Sequence, residues 1–195
     1  GEYRYVVDAA AVNALTSDTS EDFTFVVTDE HGATDTRTVT FNITGVNDTP
    51  VISVVDSQLS VEVDESWAYA SGTVSFADAD TDDVPQMSVD KSQASVTYTP
   101  AGETESAALL TSLDAQVLAD ALTFDGATGT WTYDALQLDL DELADGDVLV
   151  LSYPVSVSDG TDAATETITI TIRGTNDVPM IESVSPSDPL LDTVN

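Results

Sequence analysis

Cysteine is absent from the 195 residues, which removes disulfides and thiolate metal sites from any account of the protein. Basic residues are nearly absent too: 4 Lys plus Arg stand against 36 Asp plus Glu, a net charge of −32. A field of that sign excludes nucleic acid as a partner. No run of about 18 apolar residues exists, so no direct membrane insertion is expected. The one histidine, His31, follows Glu30 in a charged loop, leaving no His-based zinc site. Neither a glycine-rich phosphate loop nor a nucleophile elbow is present. Paired carboxylates are plentiful, as in a glycosidase, but no pattern isolates one acid in an apolar pocket. The expectation is a chain that is not an enzyme. No secretory leader is legible, and Gly1 reads as an interior cut.

Aromatics are scarce at 7%, yet 42% of residues are apolar, and they alternate with polar ones. That pattern predicts a packed β protein of one to two domains rather than disorder. The stretch that organises the chain is Gly45-Val46-Asn47-Asp48-Thr49-Pro50, with its copy Gly174-Thr175-Asn176-Asp177-Val178-Pro179. Each closes a strand with one buried face: Val39, Phe41 and Ile43 in the first, Ile168, Ile170 and Ile172 in the second. Gly ends the strand, and Pro fixes φ shortly afterwards. Between them lie an amide oxygen and a carboxylate, hard oxygen ligands of the kind Ca²⁺ prefers. Asn, Asp, Gly and Pro are also ordinary turn residues, but two copies behind the same strand favour a metal-bridged junction. Clustered acids need a cation or a salted exposed setting, because carboxylates about 4 Å apart repel by roughly 4 kcal/mol at an effective dielectric of ~20.

Residues 1 to 50 and 129 to 179 repeat one pattern. Gly1-Glu2-Tyr3-Arg4-Tyr5 matches Gly129-Thr130-Trp131-Thr132-Tyr133 and predicts a strand with heavy inward side chains. Val12-Asn13-Ala14-Leu15 matches Leu140-Asp141-Glu142-Leu143 as a crossover. A strand with Phe23, Phe25 and Val27 matches one with Leu151, Tyr153, Val155 and Val157. Asp159-Gly160 is a hairpin signal; the first copy has a longer loop. Between the copies, Val51 to Val55 and Leu59 to Val63 read as a split first strand. Gly72 to Phe76 reads as a second, before the acidic loop Asp78 to Asp83. Met87 with Val89, and Val96 with Tyr98, give two more. Residues 103 to 122, rich in Ala and Leu, predict a short helix in an insertion. Strands at this spacing indicate an all-β sandwich with Greek-key connections.

Gly-Thr-Trp-Thr-Tyr, then Val-Ser-Asp-Gly-Thr-Asp, then alternating Thr and Ile, then Gly-Thr-Asn-Asp-Val-Pro resembles the VCBS repeat. The resemblance implies Ig-like or cadherin-like sandwiches in tandem, within large bacterial surface proteins that are often RTX adhesins. It covers residues 1 to 179. It divides the chain into 1–46, the second half of a preceding unit; 47–179, a complete unit; and 180–195, a linker and the start of the next. Half a sandwich exposes its inner face, so strands upstream, another segment or another chain must cover it.

In a seven-strand sandwich the loops holding Asp78, Asp80, Asp82, Asp159 and Asp162 share the pole of Asn47 and Asp48. Asp64 and Glu65, with Asp139, Asp141 and Glu142 of the crossover, face Asn176 and Asp177 at the other pole. In cadherin-like modules calcium lies between domains and takes ligands from such loops and an Asn-Asp linker, so the resemblance implies Ca²⁺ at these matched positions. The first crossover adds Asp18, Glu21 and Asp22. Asn47 is expected to give a carbonyl oxygen. An EF-hand is the rival: Asp78, Asp80 and Asp82 fit its first positions, but Asp83 replaces the required Gly and Val89 the final Glu, so it is rejected. The expected function is a calcium-stabilised extender of an extracellular adhesin at the bacterial surface, supporting attachment and biofilm, with neighbouring repeats as its partners. The alternatives are a glycan- or peptide-binding module, with Trp67, Tyr69 and Trp131 as a sugar platform, and a halophilic surface protein with unspecific acidic solvation.

Overall fold

The computed structural model describes residues 2–53, 59–104, 106–110 and 113–178. The expectations for Val54, Val55, Glu105, Thr111, Pro179 and residues 180–195 fall outside that set. The structure is mostly β, with two short α-helices among the described residues.

The first copy contains α1 (Ala9–Asn13), β1 (Thr19–Thr28) and β2 (Thr34–Ile43). Asp8 caps α1 by accepting from the amides of Ala10 and Ala11, which satisfies donors that a helix start leaves open. The hairpin pairs Thr19 with Ile43 through Thr28 with Thr34. Among the described residues the strand expected at residues 1–5 is not seen: residues 2–8 have no ladder. The matching strand of the second copy sits between two others, and the first copy has no counterpart of either among the described residues.

The rest builds a two-layer sandwich. In one layer β5 (Tyr69–Thr73), β10 (Thr130–Asp134) and β9 (Leu122–Asp125) lie side by side. β6 (Ser75–Ala77) continues β5 beyond Val74 and pairs with β3 (Val51–Ser53). In the other layer β11 (Val148–Ser158) pairs with β12 (Ala163–Arg173) on one side. On its other side it pairs with β7 (Gln86–Val89) and β8 (Ser95–Thr99). β4 (Ser60–Asp64) closes that layer with a parallel ladder to β12. The first strand is therefore split, as the sequence predicts: β3 joins one layer and β4 the other. The chain also changes layer between β6 and β7, β8 and β9, and β10 and β11, a Greek-key order.

The alternation of β11 explains its place. Leu149, Leu151, Tyr153, Val155 and Val157 are fully buried, while the residues between them are half-buried. Trp131, Tyr133, Leu118 and Leu122 fill the space opposite. The short helix predicted within 103–122 is α2 (Ala115–Asp120), started by Asp114, whose Oδ1 accepts from the amides of Gln116 and Val117. Upstream, Ala107 bridges to Tyr98 with its amide 2.8 Å from the Tyr98 carbonyl, so that stretch serves as sheet edge. β9 was not anticipated. Its signal was the pair Leu122 and Phe124 ahead of an Asp-Gly turn. That turn needs Gly129, which has φ +67°, and its Cα lies against the Val74 carbonyl where a Cβ would clash.

Val27 and Val157 hold matching positions in the two hairpins but differ in exposure, 71% against 0%. Val157→Ala is expected to destabilise the unit formed by β3–β12 by about 1.5–3 kcal/mol in urea unfolding. Val27→Ala is expected to change it by less than about 0.5 kcal/mol.

Candidate metal centre

The two strand ends are built alike. Gly45 lies under the carbonyls of Leu15 and Ser17, and Gly174 under those of Leu143 and Ala144, too close in both for any side chain. Each Gly therefore seats its strand end beneath the crossover and delivers an Asn-Asp pair beyond it. In each pair the Asn side-chain amide donates to the next carbonyl: Asn47 to Asp48 at 3.3 Å, Asn176 to Asp177 at 3.1 Å.

At the upstream junction the acidic loops fold onto Asn47 and Asp48. The Asn47 Nδ2 donates to Asp162 Oδ2 at 2.9 Å and Asp159 Oδ2 at 3.1 Å. The Asp48 amide donates to Asp80 Oδ2 at 2.7 Å, and the Asp80 amide to Asp78 Oδ1 at 3.0 Å. Thr81 anchors the loop from below, its amide and hydroxyl both 3.4 Å from the Ala14 carbonyl. Carboxylate oxygens of Asp78, Asp83 and Asp159 lie within 4.8 Å of one another. The structure thus brings together Asn47, Asp48, Asp78, Asp80, Asp159 and Asp162. Asp82 is exposed and acts on the group through its charge on Asp83. The Asn47 amide turns its nitrogen to the carboxylates, where its N–H groups relieve negative charge alongside the backbone amides.

Two observations mark this as more than a polar turn. Asp80 is only 3% exposed, and its Oδ1 has no hydrogen-bond partner; the same is true of the buried Asp78 Oδ2. Oxygens left so in a protein interior are costly unless something positive meets them. The ion pairs among the described residues, Arg37 with Asp35 and Arg173 with Glu62, lie elsewhere. These hard oxygens on a loop and a linker fit a divalent cation such as Ca²⁺.

The electrostatics agree. Partial burial, followed by the charges of Asp80, Asp159, Asp78 and Asp82, pushes the Asp83 carboxyl above the ordinary range. Asp159 is held below that range, chiefly by the amides of Asp162 and Thr161 on its Oδ1 at 2.7 and 2.6 Å. Sequence reasoning missed Asp83 as a ligand candidate. It was weighed only as the residue that spoils an EF-hand, although the loop's turn carries it back onto Asp78.

At the other pole Glu65 and Asp147 are buried acids, 8% and 4% exposed; Asp147 is met by the Tyr98 hydroxyl and the amides of Ala101 and Ala144. Glu65 is less fully partnered. Its Oε1 accepts from the amide and hydroxyl of Thr175 at 2.5 and 2.7 Å, and its Oε2 has no partner. Asp64, Asn176 and Asp177 are exposed around it. Asp139 accepts from the amide of Asp141 at 3.4 Å. Glu21 is not gathered at the upstream junction: it stands on β1, its Oε2 accepting from the Tyr5 hydroxyl at 2.9 Å. Asp22 accepts from Thr40 at 2.6 Å, and Asp18 from the amide of Gly45 at 3.2 Å. The three-ring platform does not exist, because Trp131 is 1% exposed in the core while Trp67 and Tyr69 are at the surface.

No family model matches the chain, and no curated protein matches it in sequence. Among solved structures it is similar to PcdhgB3 EC1-4, with 16% identity, a TM-score of 0.38, and coverage of 88% of this chain and 34% of that one. It is similar to Drosophila N-cadherin EC1-4, with 16% identity, a TM-score of 0.36, and coverage of 80% and 33%. It is also similar to mouse clustered PcdhgC3 EC1-3, with 12% identity, a TM-score of 0.36, and coverage of 82% and 56%. The chain spans about a third to just over half the length of these structures.

The direction of the Asp83 shift sets a sign. Its folded form binds a proton more readily than the unfolded chain, so ionised Asp83 opposes folding at neutral pH. That cost is relieved as pH falls through its raised value. Asp159 is the reverse: its contribution is present above the ordinary carboxylate value near about 3.9 and is lost only below it. In chelator, Asp83→Asn is expected to melt above the parent at pH 7, and the gap should close as thermal melts are taken toward pH 4.

Proposed function

We propose that the chain is a calcium-stabilised extender module of a large extracellular bacterial adhesin, of the VCBS and RTX kind, supporting cell attachment and biofilm. Its role is structural, not catalytic, and its partners are the neighbouring repeats of its own chain. The single observation that carries the reading is Asp80: buried, one oxygen on the backbone of the linker, the other without a partner.

Asp78, Asp80, Asp83 and Asp159 would hold the ion, with Asp48, Asp162 and the carbonyl face of Asn47 beside them and water completing the shell. The bound ion supplies positive charge to a cluster that otherwise repels itself. Because Asp80 grips the Asp48 amide and Asp159 the Asn47 side chain, neutralising them fixes the linker relative to β3–β12. Binding to the folded state stabilises it by mass action, and extracellular modules bind Ca²⁺ at about 10⁻⁴ to 10⁻³ M. A linker so held changes from a hinge into a strut, which is what a rod needs to carry a distal binding domain away from a surface.

Calcium titration by calorimetry, with melts in chelator at fixed ionic strength, tests the reading. Chelation is expected to lower the melting temperature. Asp80→Asn keeps the shape and removes one charge, so it should weaken affinity by roughly tenfold or more while leaving the calcium-free melt equal or higher. Identical melts with and without calcium, together with stability that rises with NaCl, would identify unspecific acidic solvation instead.

A further inference from the structure

Two faces in this chain are made to one plan, and only one of them is covered. The register of the hairpins sets Phe23 against Tyr153, Phe25 against Val155 and Phe41 against Ile170. In β11–β12 those positions are fully buried, whereas Phe23 and Phe25 are 41% and 44% exposed. What covers the second face is visible: β10, with Trp131 and Tyr133 at 1% and 0% exposure, flanked by β5 and β9.

In the first copy, among the described residues, the rings of the segment matching β10 are in place, though without a ladder. Tyr3 lies 5.6 Å from Phe25, and Tyr5 stacks on Phe41 at 4.2 Å and meets Phe23 at 5.6 Å. These rings hold the posts of Trp131 and Tyr133 without the flanking strands. A cleft of about 330 Å³ opens beside them, lined by Tyr5, Val12, Leu15, Glu21 and Ile43.

We propose that this face is the docking surface for the first half of a repeat unit. Its occupant is a segment built like residues 51–128 and joined in cis ahead of Glu2, with strands flanking Tyr3–Tyr5 as β5 and β9 flank β10. The chain's own second copy shows the chemistry of that cover. A second molecule is a poorer occupant, because its β5–β10–β9 layer is already engaged. Two hairpin faces set together would also join chains that each carry −32, with Glu21 on both faces. Glu21 stands where the second copy has Leu151, and Tyr5 answers it with a hydroxyl, so the cover has to leave this one acid its polar contact.

The test adds a copy of residues 51–128 directly before Gly1 of the full chain, which recreates the Thr128-Gly129 connection at the new joint. Hydrogen exchange is read at the amides of β1 and β2, and a dye for exposed apolar surface is read alongside, both in calcium and in chelator. The expected result is at least a hundredfold slower exchange at Phe23, Phe25 and Phe41 and loss of dye binding. Phe25→Asp in the extended chain should return both readings to parental values without changing the melt of the unit from β3 to β12. Parental exchange in the extended chain, with that melt intact, would overturn the proposal. So would a parent chain that sediments as a dimer with these amides already protected. Neither outcome bears on calcium affinity at Asp80, so the two readings stand or fall apart.

Discussion

Repulsion between carboxylates is the constraint on which the upstream junction depends. Asp78, Asp80, Asp83 and Asp159 meet around the Asn47 side chain and the Asp48 backbone amide. Ionised together, like charges at such separations repel. Backbone amides relieve part of this: those of Thr161 and Asp162 serve Asp159, and that of Asp48 serves Asp80. They do not reach Asp80 Oδ1 or Asp78 Oδ2. A fold with free choice of surface residues would scatter such charges. Convergence on a linker is the arrangement from which the proposed dependence on a cation follows.

The same economy of means appears in the two glycines. Gly45 and Gly174 make no use of left-handed backbone; they give room for a crossover to lie on the strand end. The crossover carbonyls then fix where the Asn-Asp pair begins. The site is thus positioned by close backbone approach on one side and by loop carboxylates on the other, with little side-chain packing between.

Much of the fold was legible because period two is a strong signal when one face is fully buried, as Leu149 to Val157 and Ile168 to Ile172 show. The split first strand was legible too, from two apolar runs with a polar gap. The insertion was legible in its short helix alone. Its Ala and Leu content favours helix, but Tyr98 draws Ala107 into a bridge and Asp114 sets the helix start later. β9 was hidden because two apolar residues before a turn are too short a pattern to register. At the site, alternation identified the loops but not which acids turn inward. Asp83 does so because the loop reverses after Asp80, and Glu21 does not because it belongs to a ladder opposite Phe41.

The parallel ladder between β4 and β12 has a mechanical meaning. It runs from Thr169–Ser60 to Arg173–Asp64, with Arg173 reaching across to Glu62 at 2.7 and 2.9 Å. β4 lies near the start of the unit and β12 at its end, so a pull along the chain drags these two strands past each other in opposite directions. Their hydrogen bonds are then loaded together, in shear, instead of parting one at a time as in a peeled hairpin. A module joined in this way resists extension until the whole ladder yields.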